Sequence, residues 1–118
     1  MAGKVLILED AAEIQQMYRE MFQVAGLNPP LICSEISEAQ AVFKQTLDIA
    51  LIVLDACIYS KEPNTYSLPA YFRSCGFSGP IIAASSDYLF RREQVKHGCT
   101  HESESYCVAD IVPSLLRK

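Results

Sequence analysis

The sequence predicts an α/β domain in which five strand–helix units form a three-layer sandwich around a parallel sheet. Three observations predict it. Short apolar runs at Lys4–Leu8, Ile49–Leu54 and Pro80–Ala84 alternate with segments of helical period. The run Ile49–Leu54 is apolar throughout rather than at every second position, the mark of a strand covered on both faces. Each of these runs ends on polar groups: Glu9-Asp10, Asp55 and Ser85-Ser86.

The elements follow in order. Lys4–Leu8 is the first strand. Residues 11–25 form a helix with Ile14, Met17, Tyr18, Met21, Phe22 and Ala25 on one face. Asp10 with Glu13 reads as a capping box, and Gly26 as the stop. After Asn28-Pro29-Pro30, Leu31–Cys33 is a short strand. Ser34 or Ser37 caps a second helix whose face is Ala39, Val42, Phe43 and Leu47. Ile49–Leu54 is the third strand, followed by the polar loop YSKEPNTYS. Ser67 caps a third helix with Pro69 in its first turn, ending near Gly76. Pro80–Ala84 is the fourth strand. Asp87 caps a fourth helix running to about His97 and stopped by Gly98. Residues 103–108 form a weak fifth strand, and Asp110–Arg117 a last helix that tolerates Pro113 only in its first turn. Units this short join parallel strands by right-handed crossovers.

Composition narrows the function. The chain has 118 residues, half of them hydrophobic, which suits one domain over residues 1–118 with a real core. A net charge of −4 without a basic stripe argues against nucleic acid as a direct partner. No apolar run approaches a membrane span, and MAGKVLILED meets a carboxylate too early for a signal peptide. A cytoplasmic protein is expected. The five cysteines (33, 57, 75, 99 and 107) are odd in number and lack CxxC spacing, so they read as reduced thiols in or near the core. HGCTH, with Cys107, lacks the paired ligand spacing of a zinc site.

In an open parallel sheet the ligand site lies at the carboxyl ends of the strands. Glu9, Asp10 and Asp55 would meet there, and three converging carboxylates repel unless a cation joins them. Magnesium fits, as a hard ion taking carboxylate and phosphate oxygens. An aspartate beside it can attack a phosphoryl donor, with a serine hydroxyl on one phosphoryl oxygen. Taken singly, Asp10 reads as a helix cap and Ser85 as a backbone partner. The pairing of acids opposite a central strand favours the functional reading.

At these residues the chain resembles a known family. KVLILED with its amphipathic helix and Gly26-Leu27, then LIVLDACI, then GPIIAASS, is similar to the receiver domain of bacterial two-component response regulators. The resemblance implies a flavodoxin-like (βα)5 sandwich with strand order 2-1-3-4-5. It implies Glu9 and Asp10 as the metal-binding pair, Asp55 as phosphoacceptor, Cys57 as donor of a backbone carbonyl to Mg2+, and Ser85 as the hydroxyl that follows the phosphoryl group. It implies a sensor histidine kinase or phosphotransfer protein upstream and a protein target downstream. Such a domain accepts a phosphoryl group rather than turning over a substrate.

The chain departs from the family. The lysine expected near the end of the fifth strand falls at Ser105 by count, and no lysine lies between Lys96 and Lys118. Losing such a charge-assisted bond costs on the order of 1.5–3 kcal/mol, a roughly ten- to hundredfold slower transfer if all of it falls on the transition state. The family's Met-Pro after the acceptor gives way to Ile58-Tyr59 and a longer polar segment. The aromatic switch position falls on Glu102, or on Tyr106 with a shift. The stretch from Ser85 to Gly98 is about two residues short, which predicts a shortened or irregular fourth helix. These departures support a second reading, a pseudo-receiver that binds protein partners without phosphorylation.

Overall fold

The structure, a computed structural model, describes residues 3–116. Five strands and five helices alternate: β1 (Lys4–Leu8), α1 (Ala12–Val24), β2 (Leu31–Cys33), α2 (Ile36–Gln45), β3 (Ile49–Leu54), α3 (Leu68–Ser74), β4 (Ile81–Ala83), α4 (Tyr88–Lys96), β5 (His101–Glu102) and α5 (Val108–Leu116). All strands are parallel, in the order β2-β1-β3-β4-β5. This is the flavodoxin-like three-layer sandwich.

Strand period sorts the core into two layers. Leu6, Leu8, Ile52, Leu54, Ile81 and Ala83 face one side and pack with Ala39, Leu68, Phe72 and Phe77. Val5, Ile7, Leu51, Val53, Ile82 and Ala84 face the other and pack with Tyr18, Phe22, Val108 and Val112. Both faces of β3 are therefore dry, which is why its sequence shows no alternation. Phe43 meets Phe72 and Phe77 edge-on at 5.1 and 5.9 Å.

Caps differ from the sequence expectation where a tertiary contact claims the side chain. The capping box of Asp10 and Glu13 does not form. Ala11 occupies the cap of α1, and Asp10 instead accepts from Tyr59 N–H. Neither Ser34 nor Ser37 caps α2. Glu35 sits at that cap, while Ser34 donates its N–H to Glu38 and accepts at its hydroxyl from Gln15. Ser67 stands at the start of α3 without a side-chain cap bond. Ala25 and Leu47 lie beyond their helices and are exposed.

Asp87 does cap α4, accepting from Leu89 and Phe90 N–H, and α4 is a regular helix of nine residues despite the short connection. Asp87→Ala is expected to lower stability by about 1 kcal/mol, read as a shift of the urea midpoint with unchanged slope. Gly98 ends the helix at φ +118, where a Cβ would also lie 3.1 Å from Pro69.

The last unit needs the largest correction. β5 is only His101–Glu102, both exposed at the sheet edge, and Ser105–Cys107 is a 3-10 turn rather than strand. Its partner β4 is itself three residues long, so little ladder is available. The turn leads directly into α5, so Pro113 lies in the interior of that helix, where it removes one ladder bond, and not in its first turn. Arg117, placed by the sequence at the end of α5, lies outside the described residues. Cys33 and Cys99 are buried, Cys57 and Cys107 half-buried, Cys75 exposed, and all five are free.

Candidate functional site

Strand register builds the site. Leu8 pairs with Leu54, and Asp55 N–H donates to Leu8 carbonyl, so the chain leaves β1 and β3 side by side. One step on, Glu9 and Asp55 continue the rows Val5-Ile7 and Leu51-Val53, on the face covered by α1 and α5. Asp10 follows in the turn into α1. One ligand oxygen from each of Glu9, Asp10 and Asp55 lies within 4.8 Å of the others, and among the described residues no other group of acids, cysteines and histidines gathers this way.

Each carboxylate has one oxygen held by a backbone amide. Glu9 Oε2 accepts from Ala11 N–H at 3.0 Å, Asp10 Oδ2 from Tyr59 N–H at 2.7 Å, and Asp55 Oδ1 from Ala56 N–H at 2.8 Å. Asp55 is also bonded by Cys57 N–H, and the Glu9 and Asp10 carboxyls lie within hydrogen-bonding reach of each other. The backbone of Asp55 and Ala56 is itself pinned, because the buried Thr65 hydroxyl bonds both carbonyls at 2.7 and 3.2 Å.

The electrostatics are those of an uncompensated acid cluster. Among the described residues the ion pairs are Arg91–Glu102 and Lys96–Glu93, and no cation pairs with these three acids. Burial, then the nearby Asp55 charge, pushes the Glu9 carboxyl up to about 7, against the pull of Ala11 N–H. Burial likewise pushes Asp55 up to about 6, with Ala56 N–H pulling it down and Asp10 raising it. Three hard oxygens and unbalanced negative charge fit a hard divalent cation such as Mg2+. Its ligands would be Glu9, Asp10 and Asp55, with the carbonyl of the half-buried Cys57 two residues past Asp55.

Ser85 lies just past β4 and is buried. Its hydroxyl accepts from Asp87 N–H at 3.1 Å, within its own turn, rather than engaging the acids. Its carbonyl accepts from Arg91 at 2.9 Å, and Arg91 Nε lies 3.3 Å from Glu102. Arg92 reaches Tyr88. Neither arginine takes the place of the missing lysine. Ser105, where the count along the sequence puts that lysine, donates to the Ala84 carbonyl, with the hydroxyl of the buried Tyr18 facing it from α1. Burial, with the charges of Glu9 and Asp55 adding to it, pushes the Tyr18 hydroxyl up, so it stays a neutral donor.

Glu102, at the expected aromatic position, is exposed and pairs with Arg91, while Tyr106 is exposed and bonds Glu104. The histidines are accounted for. His97 Nδ1 meets the Glu93 carbonyl and its ring stacks on Tyr66 at 4.7 Å, while His101 meets the Thr100 hydroxyl. Of the aromatic residues around the long loop, Phe72 is core, Tyr66 and Tyr71 are half-buried, and only Tyr59 stands out from the surface.

Sequence reasoning missed four residues around this edge. Tyr18 reads only as part of an apolar helix face, although its polar tip is the signal. Asn64 and Thr65 act through side-chain bonds to backbone, which no periodicity encodes. Gln94, on a polar helix, is buried and donates to the Leu54 carbonyl at 2.9 Å, while its Oε1 has no partner. The Leu54 carbonyl also accepts from Ala84 N–H, so Gln94→Met orphans nothing and removes an unsatisfied atom. We expect that variant to match or exceed wild-type stability within about 1 kcal/mol in denaturant titration.

No family model matches the chain, and no curated protein matches it. Solved structures do. The chain is similar to the BeF3-activated N-terminal receiver domain of Klebsiella pneumoniae RstA, at 16% identity over 98% of this chain and 99% of that one, with a TM-score of 0.79. It is similar to the receiver domain of the Francisella response regulator 1452, at 20% identity over 98% and 97% of the two chains, with a TM-score of 0.78. It is also similar to an atypical orphan response regulator described as having a phosphorylation-independent regulatory mechanism, at 12% identity over 97% and 95%, with a TM-score of 0.73. The fold is therefore that of response regulator receiver domains. Among the described residues, no helix is long and apolar enough to cross a membrane.

Proposed function

We propose that residues 1–118 act as one receiver-like signalling module in the cytoplasm, which accepts a phosphoryl group on Asp55 and passes the signal on through protein contacts. The observation that carries this reading is the gathering of Glu9, Asp10 and Asp55 within 4.8 Å at the carboxyl edge of a receiver fold, with no cation among the described residues paired to them. Glu9, Asp10, Asp55 and the Cys57 carbonyl would hold Mg2+. Bound there, the ion would offset charge on a transferring phosphoryl group.

The chain's residues do the rest. Ala56 N–H orients the Asp55 carboxylate, and Thr65 fixes the backbone beneath it. A free Asp55 oxygen attacks phosphorus, the bond from phosphorus to the donor's leaving group breaks, and an acyl phosphate remains on Asp55. The Ser85 hydroxyl, which accepts from Asp87 N–H, keeps its own proton to donate to that phosphoryl group, and Arg91 of α4, bonded to the Ser85 carbonyl and paired with Glu102 of β5, would register the move. A sensor kinase or phosphotransfer protein is the fitting donor and a downstream protein the fitting target. The chain acts as acceptor rather than as a turnover enzyme.

A second reading rests on one observation. Ser105 fills the lysine place, so the transferred charge would meet hydroxyls and not an ammonium group. A binding module that keeps the fold without phosphorylation fits that.

The test is intact-protein mass after incubation with Mg2+ and a small acyl phosphate or phosphoramidate. A phosphate-sized gain supports the receiver. Mg2+ binding without any gain from small donors or from a kinase supports the binding module.

A further inference from the structure

Two of the three carboxylates are oriented by amides close to them in sequence, Ala11 for Glu9 and Ala56 for Asp55. Asp10 is oriented from 49 residues away, by Tyr59 N–H at 2.7 Å. Tyr59 gets there in the left-handed region, with φ +52, which any side chain but glycine disfavours. Its ring is 67% exposed, so core packing does not impose that conformation.

The preceding residue is clamped instead. Asn64 Oδ1 accepts from Ile58 N–H and Asn64 Nδ2 donates to Ile58 carbonyl, both at 2.8 Å. Asn64 N–H in turn bonds the Ala56 carbonyl at 2.9 Å, and its neighbour Thr65 holds Asp55 and Ala56. The loop after β3 is thus closed on itself at one turn. That turn presents the Tyr59 amide to Asp10.

We propose that Asn64 is a positioning residue for the cation site: it holds the left-handed turn at Tyr59, whose amide fixes the Asp10 carboxylate by one oxygen and leaves the other for the ion. This rests on the reading of Glu9, Asp10 and Asp55 as a Mg2+ site. The physical reason is pre-organisation. Binding is tighter when the ligand's orientation is set before the ion arrives, because less freedom is lost on association. The inference differs from a plain loop-stability role in predicting that an exposed side chain, Tyr59, tunes metal affinity through its backbone preference alone.

The experiment uses the full chain and Mg2+ alone. Four proteins are titrated by calorimetry: wild type, Tyr59→Gly, Tyr59→Val and Asn64→Ala. Hydrogen exchange at the residue-59 amide and the metal-free melting temperature are read alongside. Glycine accepts φ +52 freely and a β-branched valine resists it. Tyr59→Gly is expected to bind within about twofold of wild type, and Tyr59→Val and Asn64→Ala about three- to tenfold more weakly, with faster exchange at the residue-59 amide. The Tyr59 pair changes an exposed position, so it carries the test if Asn64→Ala does not fold.

If wild type binds Mg2+ and Tyr59→Val and Asn64→Ala bind equally well despite a deprotected amide, the positioning role is overturned and the cation site stands. If wild type binds no Mg2+, the cation site itself is overturned and this role falls with it.

Discussion

Asp55→Asn is expected to abolish the phosphate-sized mass gain that wild type shows with Mg2+ and a small phosphodonor. The substitution removes the attacking oxygen while keeping the shape of the side chain. Asn Oδ1 can still accept from Ala56 N–H, so the local hydrogen bonding survives. One of three crowded negative charges is also lost, so the variant should melt no lower than wild type. A stable, unmodified Asp55→Asn beside a modified wild type would identify Asp55 as the acceptor. Equal mass gain in both would move the acceptor elsewhere. The wild-type reaction should be slow, because Ser105 and the neutral Tyr18 hydroxyl replace an ammonium group. The expected deficit is roughly ten- to hundredfold against a lysine-bearing receiver assayed alongside.

The metal-free chain is expected to lose stability as pH rises from about 4 to about 7, and Glu9→Gln to remove about half of that loss. The ordinary values of Glu9 and Asp55 are 4.5 and 3.8, and in the fold they stand at about 7 and about 6. Both folded values are raised, so across this window the folded state holds more protons than the unfolded one. Stability must then fall as pH rises, with the loss complete above the folded values. For the buried Glu9 the loss is on the order of 3 kcal/mol. Glutamine keeps an oxygen for Ala11 N–H and carries no charge, so at pH 8 without metal the variant should melt about 10–15 °C above wild type. Added Mg2+ should raise wild type towards the variant and leave the variant nearly unmoved. A wild-type melting temperature flat from pH 5 to 8, or a Glu9→Gln protein that melts lower, would show that the cluster is compensated by something other than a proton or a cation.

Much of this molecule was legible in its residues. Ile49–Leu54 announced a strand dry on both faces, and the structure places it at the centre of the sheet with both layers packed on it. Asp87 and Gly98 bounded α4, because a cap and a left-handed stop are local chemistry. The approach of Glu9, Asp10 and Asp55 followed from parallel strands ending in register, which strand order alone implies.

What the residues hid was which distant group claims a given side chain or strand edge. Asp10 reads as a helix cap, yet its carboxylate is claimed by an amide 49 residues on. Residues 103–108 read as strand, yet β4 offers too short a ladder and the chain turns through Ser105–Cys107 into α5. Pro113 therefore falls inside a helix that starts earlier than its sequence suggests. The sequence by itself determined the alternation of elements, the two-faced core and the three acids at one edge, because period and local caps carry that information. Only the tertiary structure decided that the Tyr18 hydroxyl meets Ser105 and that Tyr59 N–H bonds Asp10 from a loop closed by Asn64. Side-chain bonds to distant backbone obey no period, and competition among them is resolved only when the layers pack.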